Sequence, residues 1–162
     1  MLAKPSFNSR SLVLLSSLAT LILLAALHAN ASHPSSDPWS DSQLVQPATL
    51  VQELASKTNS PTILYVGPRT LFSGAHIPGA TFHGTASTEA GLDELKKWAS
   101  TIPHGTNVVI YCGCCPFEKC PNIRPAFSTL HDLGFTHVRV LALATSFKSD
   151  WIDKNYATEK GM

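Results

Sequence analysis

The chain has 162 residues, 44% of them hydrophobic and 14% charged, an ordinary globular balance with room for one domain and one core. The formal net charge is +1 and the Lys and Arg residues are scattered, so there is no basic stripe and no nucleic-acid or acidic partner is expected. No internal repeat and no heptad run is present.

The N-terminus differs in kind. Lys4 and Arg10 make a basic start, and Ser11 to Leu27 then run for about 17 residues without a charge. Ala29-Asn30-Ala31 follows with the small-x-small form of a cleavage site. The pattern predicts a secretory signal peptide over 1–31, cut after Ala31. A retained anchor is the alternative, since the apolar run lies at the short edge of what spans a bilayer. No Cys stands at the cleavage point, which argues against a lipoprotein. Cleavage predicts a secreted or periplasmic protein with no stable membrane span. Removing Lys4 and Arg10 from the 12 basic residues leaves 10 against 11 acidic ones. Export also places every thiol in an oxidising compartment, where disulfides persist.

Residues 32–42 are polar with two prolines and are expected to form a flexible leader. In 47–57, Leu50, Val51, Leu54 and Ala55 share one face of a predicted helix. Residues 62–67 are a short, β-rich apolar run, a buried strand. Residues 68–84 are expected to be loop, followed by a short strand around 80–83. Ser87-Thr88-Glu89 has a capping pattern, and Leu92, Leu95 and Trp98 follow at helical spacing.

Residues 107–112 form the most hydrophobic strand after the leader. A helix is predicted over 121–134, with Pro121 as its first residue, Ile123, Phe127, Leu130 and Leu133 along one face, and Gly134 as its stop. A strand over 137–143 and a final helix over 146–155 complete the chain. Strands that alternate with helices predict an α/β fold, a central parallel sheet with helices on both faces. Ligands bind such sheets at the carboxyl ends of the strands.

All four cysteines stand at that edge. Cys112, Cys114, Cys115 and Cys120 lie within "CGCCPFEKC", after the central strand and before a helix. Loop amides and a helix N-terminus are expected to stabilise a thiolate on Cys112 and lower its pKa.

Several pieces match one family in order. "AHIPGA" (75–80) resembles a GHIPGA signature of rhodanese-like domains, and "VVIYC", a loop, a helix ending in "LGF" and the strand "VRVL" follow as in that family. Trp151 fits the tryptophan near the family's C-terminus. The resemblance covers roughly 43–160. It implies a sulfurtransferase in which Cys112 carries sulfane sulfur as a persulfide. The partners implied are a small sulfur-donor anion and a thiol or cyanide acceptor. No cofactor is implied.

The chain departs from the family in three places. The usual Asp-Val-Arg after the second strand is here Tyr65-Val66-Gly67, with Arg69 the nearest base. The usual Cys-x4-Arg loop is lengthened, so that Arg124 lies twelve residues beyond Cys112. Thr145-Ser146 replaces a Gly-Gly before the last helix. The loop resembles that of exported bacterial rhodanese-like proteins carrying CGCCP…CPN.

Four readings of the loop stay open. In sulfur transfer, Cys112 is the nucleophile, Cys114, Cys115 and Cys120 are resolving or accessory thiols, and Lys119 and Arg124 bind an anionic donor. In thiol–disulfide redox, the Cys112–Cys115 spacing is the active pair. In metal binding, all four thiolates hold copper, zinc or an Fe–S cluster, and Cu(I) tolerates the tight spacing best. Two stapling disulfides are the last reading, with little stabilisation from such small rings. His76 is expected to order the loop beside the site. His83 and His131 are metal ligands only if the fold brings them to the cysteines.

Overall fold

The computed structural model describes residues 37–161 apart from 57 and 59. The predicted signal peptide and residues 32–36 lie outside the described residues. Among the described residues no helix is long and apolar enough to cross a membrane.

Five strands form one parallel sheet: β1 (Leu44–Val45), β2 (Thr62–Tyr65), β3 (Thr81–Phe82), β4 (Val108–Tyr111) and β5 (Val138–Leu141). Their order is β1-β5-β4-β2-β3. β4 is central and buried at every residue, as its uninterrupted apolar sequence requires. Its register sets Tyr65 beside Tyr111, so β2 and β4 end together.

Helices cover both faces. On one, α3 (Glu89–Ala99) and α4 (Ile123–Asp132) bury Leu95, Ile123, Phe127 and Leu130 against Leu64, Val108 and Ile110. On the other, α1 (Pro47–Ala55), α2 (Arg69–Gly74) and α5 (Phe147–Asp150) bury Leu50, Phe72 and Phe147 against Ile63, Val109 and Tyr111. Alternate residues of β4 therefore serve opposite cores. Thr88 caps α3 by accepting the Gly91 N–H at 3.1 Å.

Several expectations need correction. Of the segment expected to be a flexible leader, residues 37–42 are packed onto the domain. Trp39 is buried, with its ring 5.5 Å from that of Phe127 and 6.5 Å from that of Phe117. An apolar ring of that size anchors a polar string that composition alone reads as solvated. The loop expected over 68–84 contains α2, a six-residue helix with one buried residue, Phe72, too short to show a period.

Helix α4 begins at Ile123, so Pro121 precedes it; Pro125 occupies the first turn instead, where no N–H partner is lost. Leu133 falls past the last turn and is 37% exposed rather than on the buried face. Gly134 ends the helix at φ 87°, as expected. The final helix stops at Asp150, and a 3-10 turn over Ile152–Lys154 ends at left-handed Asn155.

Candidate active site

Cys112 directly follows β4 and is fully buried. The loop then leaves the interior at exposed Cys114 and returns to it at buried Cys120. Three backbone bonds hold it: Phe147 N donates to Gly113 O (3.2 Å), Phe117 N to Leu143 O (2.9 Å), and Cys120 N to Phe117 O (3.2 Å). Gly113 is required here, because a Cβ would lie 2.9 Å from Cβ of Phe147. A 3-10 turn over Phe117–Lys119 takes up the extra length and delivers Cys120, buried, to the start of α4.

The sulfurs of Cys112, Cys114 and Cys120 all lie within 4.8 Å of one another. Cys112 Sγ is 3.3 Å from Cys114 Sγ, and Cys114 Sγ is 3.0 Å from Cys115 Sγ. All four are free thiols. Cys115 touches Cys114 but does not join the three-thiol group. Three of the four thiols expected to hold a metal thus gather into one group. Cys112 touches Cys114 rather than Cys115, which is not the pairing expected for a redox spacing of two intervening residues.

The lengthened loop changes which sulfur meets the helix. The Asn122 and Ile123 amides at the start of α4 donate to Cys120, not Cys112. A hydrogen bond from Cys112 is the largest influence on Cys120; with the two amides it outweighs burial and lowers the Cys120 pKa to about 5. Cys112 moves the opposite way, since it shares its proton with Cys120 and is buried, and only the Cys114 amide favours its anion. The expectation of a low-pKa thiolate on Cys112 is corrected: the anion of the pair rests on Cys120. Burial, with Cys114 next, pushes Cys115 up to about 12.

Asn122 ties the pair together and escaped the sequence reading. It is 2% exposed. Its Oδ1 accepts the Ser87 N–H at 2.9 Å, which turns Nδ2 toward Cys112 Sγ (3.5 Å) and Cys120 Sγ (3.9 Å). An Asn in front of a helix reads as an ordinary cap, yet its side chain caps nothing here and Cys120 takes the helix amides instead.

The other candidates are dispersed. Arg124 forms an ion pair with Asp37, donates to Glu118 O at 2.6 Å, and lies over the Trp39 ring at 5.6 Å. It fastens the start of the domain to the loop instead of facing the sulfurs. Lys119 is exposed at the loop tip. Arg69 lies over the Phe82 ring at 4.6 Å. His76 is buried, with Nδ1 2.8 Å from Phe72 O and its ring stacked on Phe72, which fits the structural role expected of it. His83 stacks on Trp98, and exposed His131 lies 3.7 Å from Asp132, so neither is among the ligand atoms gathered with the thiols.

Next to the loop, a cavity of about 240 Å³ is lined by Tyr65, Leu71, Ala75, Gly113, Phe147 and Ile152, among others. A roomier cavity of about 700 Å³, lined by Asn107, His137 and Arg139, opens beside the residues that precede β4 and β5. Arg139 is held there by Glu53 at 2.7 Å, and no thiol lines that cavity.

No protein-family profile matches the chain, and no curated protein sequence does either. Solved structures do match. The rhodanese-like domain of an Anabaena sp. protein superposes with a TM-score of 0.56 at 19% identity, covering 73% of this chain and 79% of that one. A Bacillus halodurans protein gives 0.57 at 16% identity, covering 90% and 86%. A thiosulfate sulfurtransferase from Pseudomonas aeruginosa gives 0.52 at 19% identity over 74% of this chain, but only 19% of that one. The fold is rhodanese-like, with the cysteine cluster at the carboxyl edge of its parallel sheet.

Proposed function

We propose that this chain is an exported sulfurtransferase-type protein that carries sulfane sulfur as a persulfide on Cys112. The observation that carries this reading is the closeness of the buried Cys112 and Cys120 sulfurs, within 4.8 Å of each other at the end of the central strand. A buried thiol becomes a nucleophile only when a neighbour takes its proton, and Cys120 is that neighbour.

The chemistry balances without an oxidant. The Cys112 proton passes to the Cys120 thiolate, and Cys112 sulfur attacks the outer sulfur of a donor such as thiosulfate. The donor S–S bond breaks and sulfite leaves with the electron pair. Cys112 then holds a persulfide anion. A thiolate or cyanide acceptor attacks the outer sulfur, and Cys112 keeps the electron pair and recovers its proton. Cys114 is the solvent-facing thiol of the three, so sulfur enters and leaves past it. Lys119, exposed at the loop tip, supplies a positive charge that attracts an anionic donor.

The test is the intact mass of the reduced protein before and after thiosulfate. The expected result is a gain of one sulfur atom, removed by cyanide and absent in Cys112→Ser. No gain, or a gain that survives Cys112→Ser, overturns the reading.

A second reading has its own observation, the convergence of three thiols within 4.8 Å. Three soft ligands suit Cu(I), whereas structural zinc wants four. In this reading Cys112, Cys114 and Cys120 hold the ion. Replacing any of them by Ser then lowers Cu(I) affinity in competition with a chelator, and Cys115→Ser does not. Equal affinities across the four variants exclude it.

A further inference from the structure

Two tyrosines end adjacent strands in register, Tyr65 on β2 and Tyr111 on β4. Both are buried. Tyr111 Oη accepts the Ile77 N–H at 3.0 Å. Tyr65 Oη, on a side chain 1% exposed, has no close hydrogen-bond partner, and the Gly113 amide offers it only a loose one. A buried hydroxyl without a partner is costly and is not retained for packing alone, since phenylalanine has the same ring.

The orphaned hydroxyl is beside the reactive sulfur. A Cβ built on Gly67 would lie 2.6 Å from Tyr65 Oη and 2.7 Å from Cys112 Sγ. The two atoms thus converge on the same point above the Gly67 backbone, where no side chain stands between them. A neutral thiol is a weak acceptor and leaves the phenol unsatisfied. A persulfide anion on Cys112 would bring a charged sulfur within reach of this hydroxyl, and a phenol O–H is a strong donor to an anion.

We propose that Tyr65 is the hydrogen-bond donor that holds the outer sulfur of a persulfide on Cys112. The inference rests on the sulfur-transfer reading and names the group that makes the loaded state favourable. Tyr65 keeps its proton throughout, so the bonds made and broken are those of the transfer itself. The same hydroxyl has nothing to hold in the unloaded protein, and its effect is confined to the loaded state.

The test equilibrates the reduced protein with defined ratios of thiosulfate to sulfite and reads the loaded fraction by intact mass, for the native chain and Tyr65→Phe. Thermal unfolding of both unloaded proteins is measured alongside. The expected result is that Tyr65→Phe needs a ratio about tenfold higher for half loading, the factor expected when a hydrogen bond to a charged group is lost. Its unloaded form should be as stable as the native protein or more so. Equal half-loading ratios overturn the role of Tyr65 and leave sulfur transfer standing. A marked loss of stability in unloaded Tyr65→Phe also overturns it, because the hydroxyl then has a structural partner. If the native chain takes up no sulfur at any ratio, the sulfur-transfer reading falls and this inference with it.

Discussion

Asn122 Nδ2 stands 3.5 Å from Cys112 Sγ on a side chain that Ser87 holds in place through its other end. The amide therefore presents a donor to the sulfurs and cannot present its oxygen. Asn122→Asp replaces that donor with a carboxylate. The Cys120 thiolate then faces a like charge, and its pKa should rise toward the ordinary thiol range. The check is thiolate absorbance against pH, with Asn122→Ala as the control that removes the donor without adding charge. A profile unchanged in both variants would show that Cys112 and the helix amides set the Cys120 anion without the Asn122 side chain.

The Cys120 shift also predicts how stability follows pH. Its folded pKa is about 5 against an ordinary 9.0. Below the folded value both states hold the proton, and the group contributes nothing. Above the ordinary value both are ionised, and the contribution is complete. The stability of the reduced protein should therefore climb as pH rises from about 5 to 9 and fall back as pH drops. Cys112 is shifted upward and acts in the opposite sense only above its ordinary range. Denaturant unfolding of the native chain and Cys120→Ser across this window should show the climb in the first and not the second.

Arg124 and Lys119 should separate cleanly. Arg124 is paired with Asp37 and Glu118 O, so Arg124→Met is expected to cost about 1 kcal/mol of stability while leaving the half-saturating donor concentration unchanged. Lys119→Met should do the reverse, weakening the response to an anionic donor with little effect on unfolding. Steady-state kinetics beside thermal melts distinguish them. A raised donor requirement in Arg124→Met would restore its place in anion binding.

Trp39 is expected to matter more than its surroundings suggest. Truncation to Ala empties a buried site between Phe117 and Phe127 and should cost about 3–5 kcal/mol in chemical unfolding. A loss below 1 kcal/mol, on the order of a surface substitution, would mean the segment is only laid against the domain.

What the sequence made legible was the part governed by burial. The strands at 62–67, 107–112 and 137–143 could be read because buried parallel strands are short, mostly apolar, β-rich runs, with half-buried Arg139 the one charge among them. Helices α3 and α4 showed their period over three turns. β1 did not, since two residues carry no pattern and its place is fixed by Ala142 N donating to Val45 O across the sheet edge.

At the site, the clustering of the cysteines was plain, and so was the strand end that positions Cys112. Which sulfur meets the helix amides was not. That depends on α4 starting at Ile123 rather than Pro121, a shift that exchanges the electrostatic roles of Cys112 and Cys120. Asn122 and Tyr65 were hidden for a related reason: one resembles a routine cap, the other a routine strand residue, and only three-dimensional placement shows what each hydrogen-bonding group faces.

The stitching of the loop fixes the order in which the thiols become protected as the chain folds. The loop after Cys112 is closed by Phe147 N donating to Gly113 O and Phe117 N donating to Leu143 O, and Gln43 Nε2 closes the sheet edge by donating to Val138 O across 95 residues of sequence. Neither can form until the last third of the chain is in place, and closure over such a span is slow compared with local helix formation. Until then all four sulfurs stand open on an unfinished sheet. In an oxidising refolding buffer the chain would be most open to scrambled disulfides at this stage, so the yield of folded protein with free thiols should depend on how fast residues 138–147 dock relative to the added oxidant.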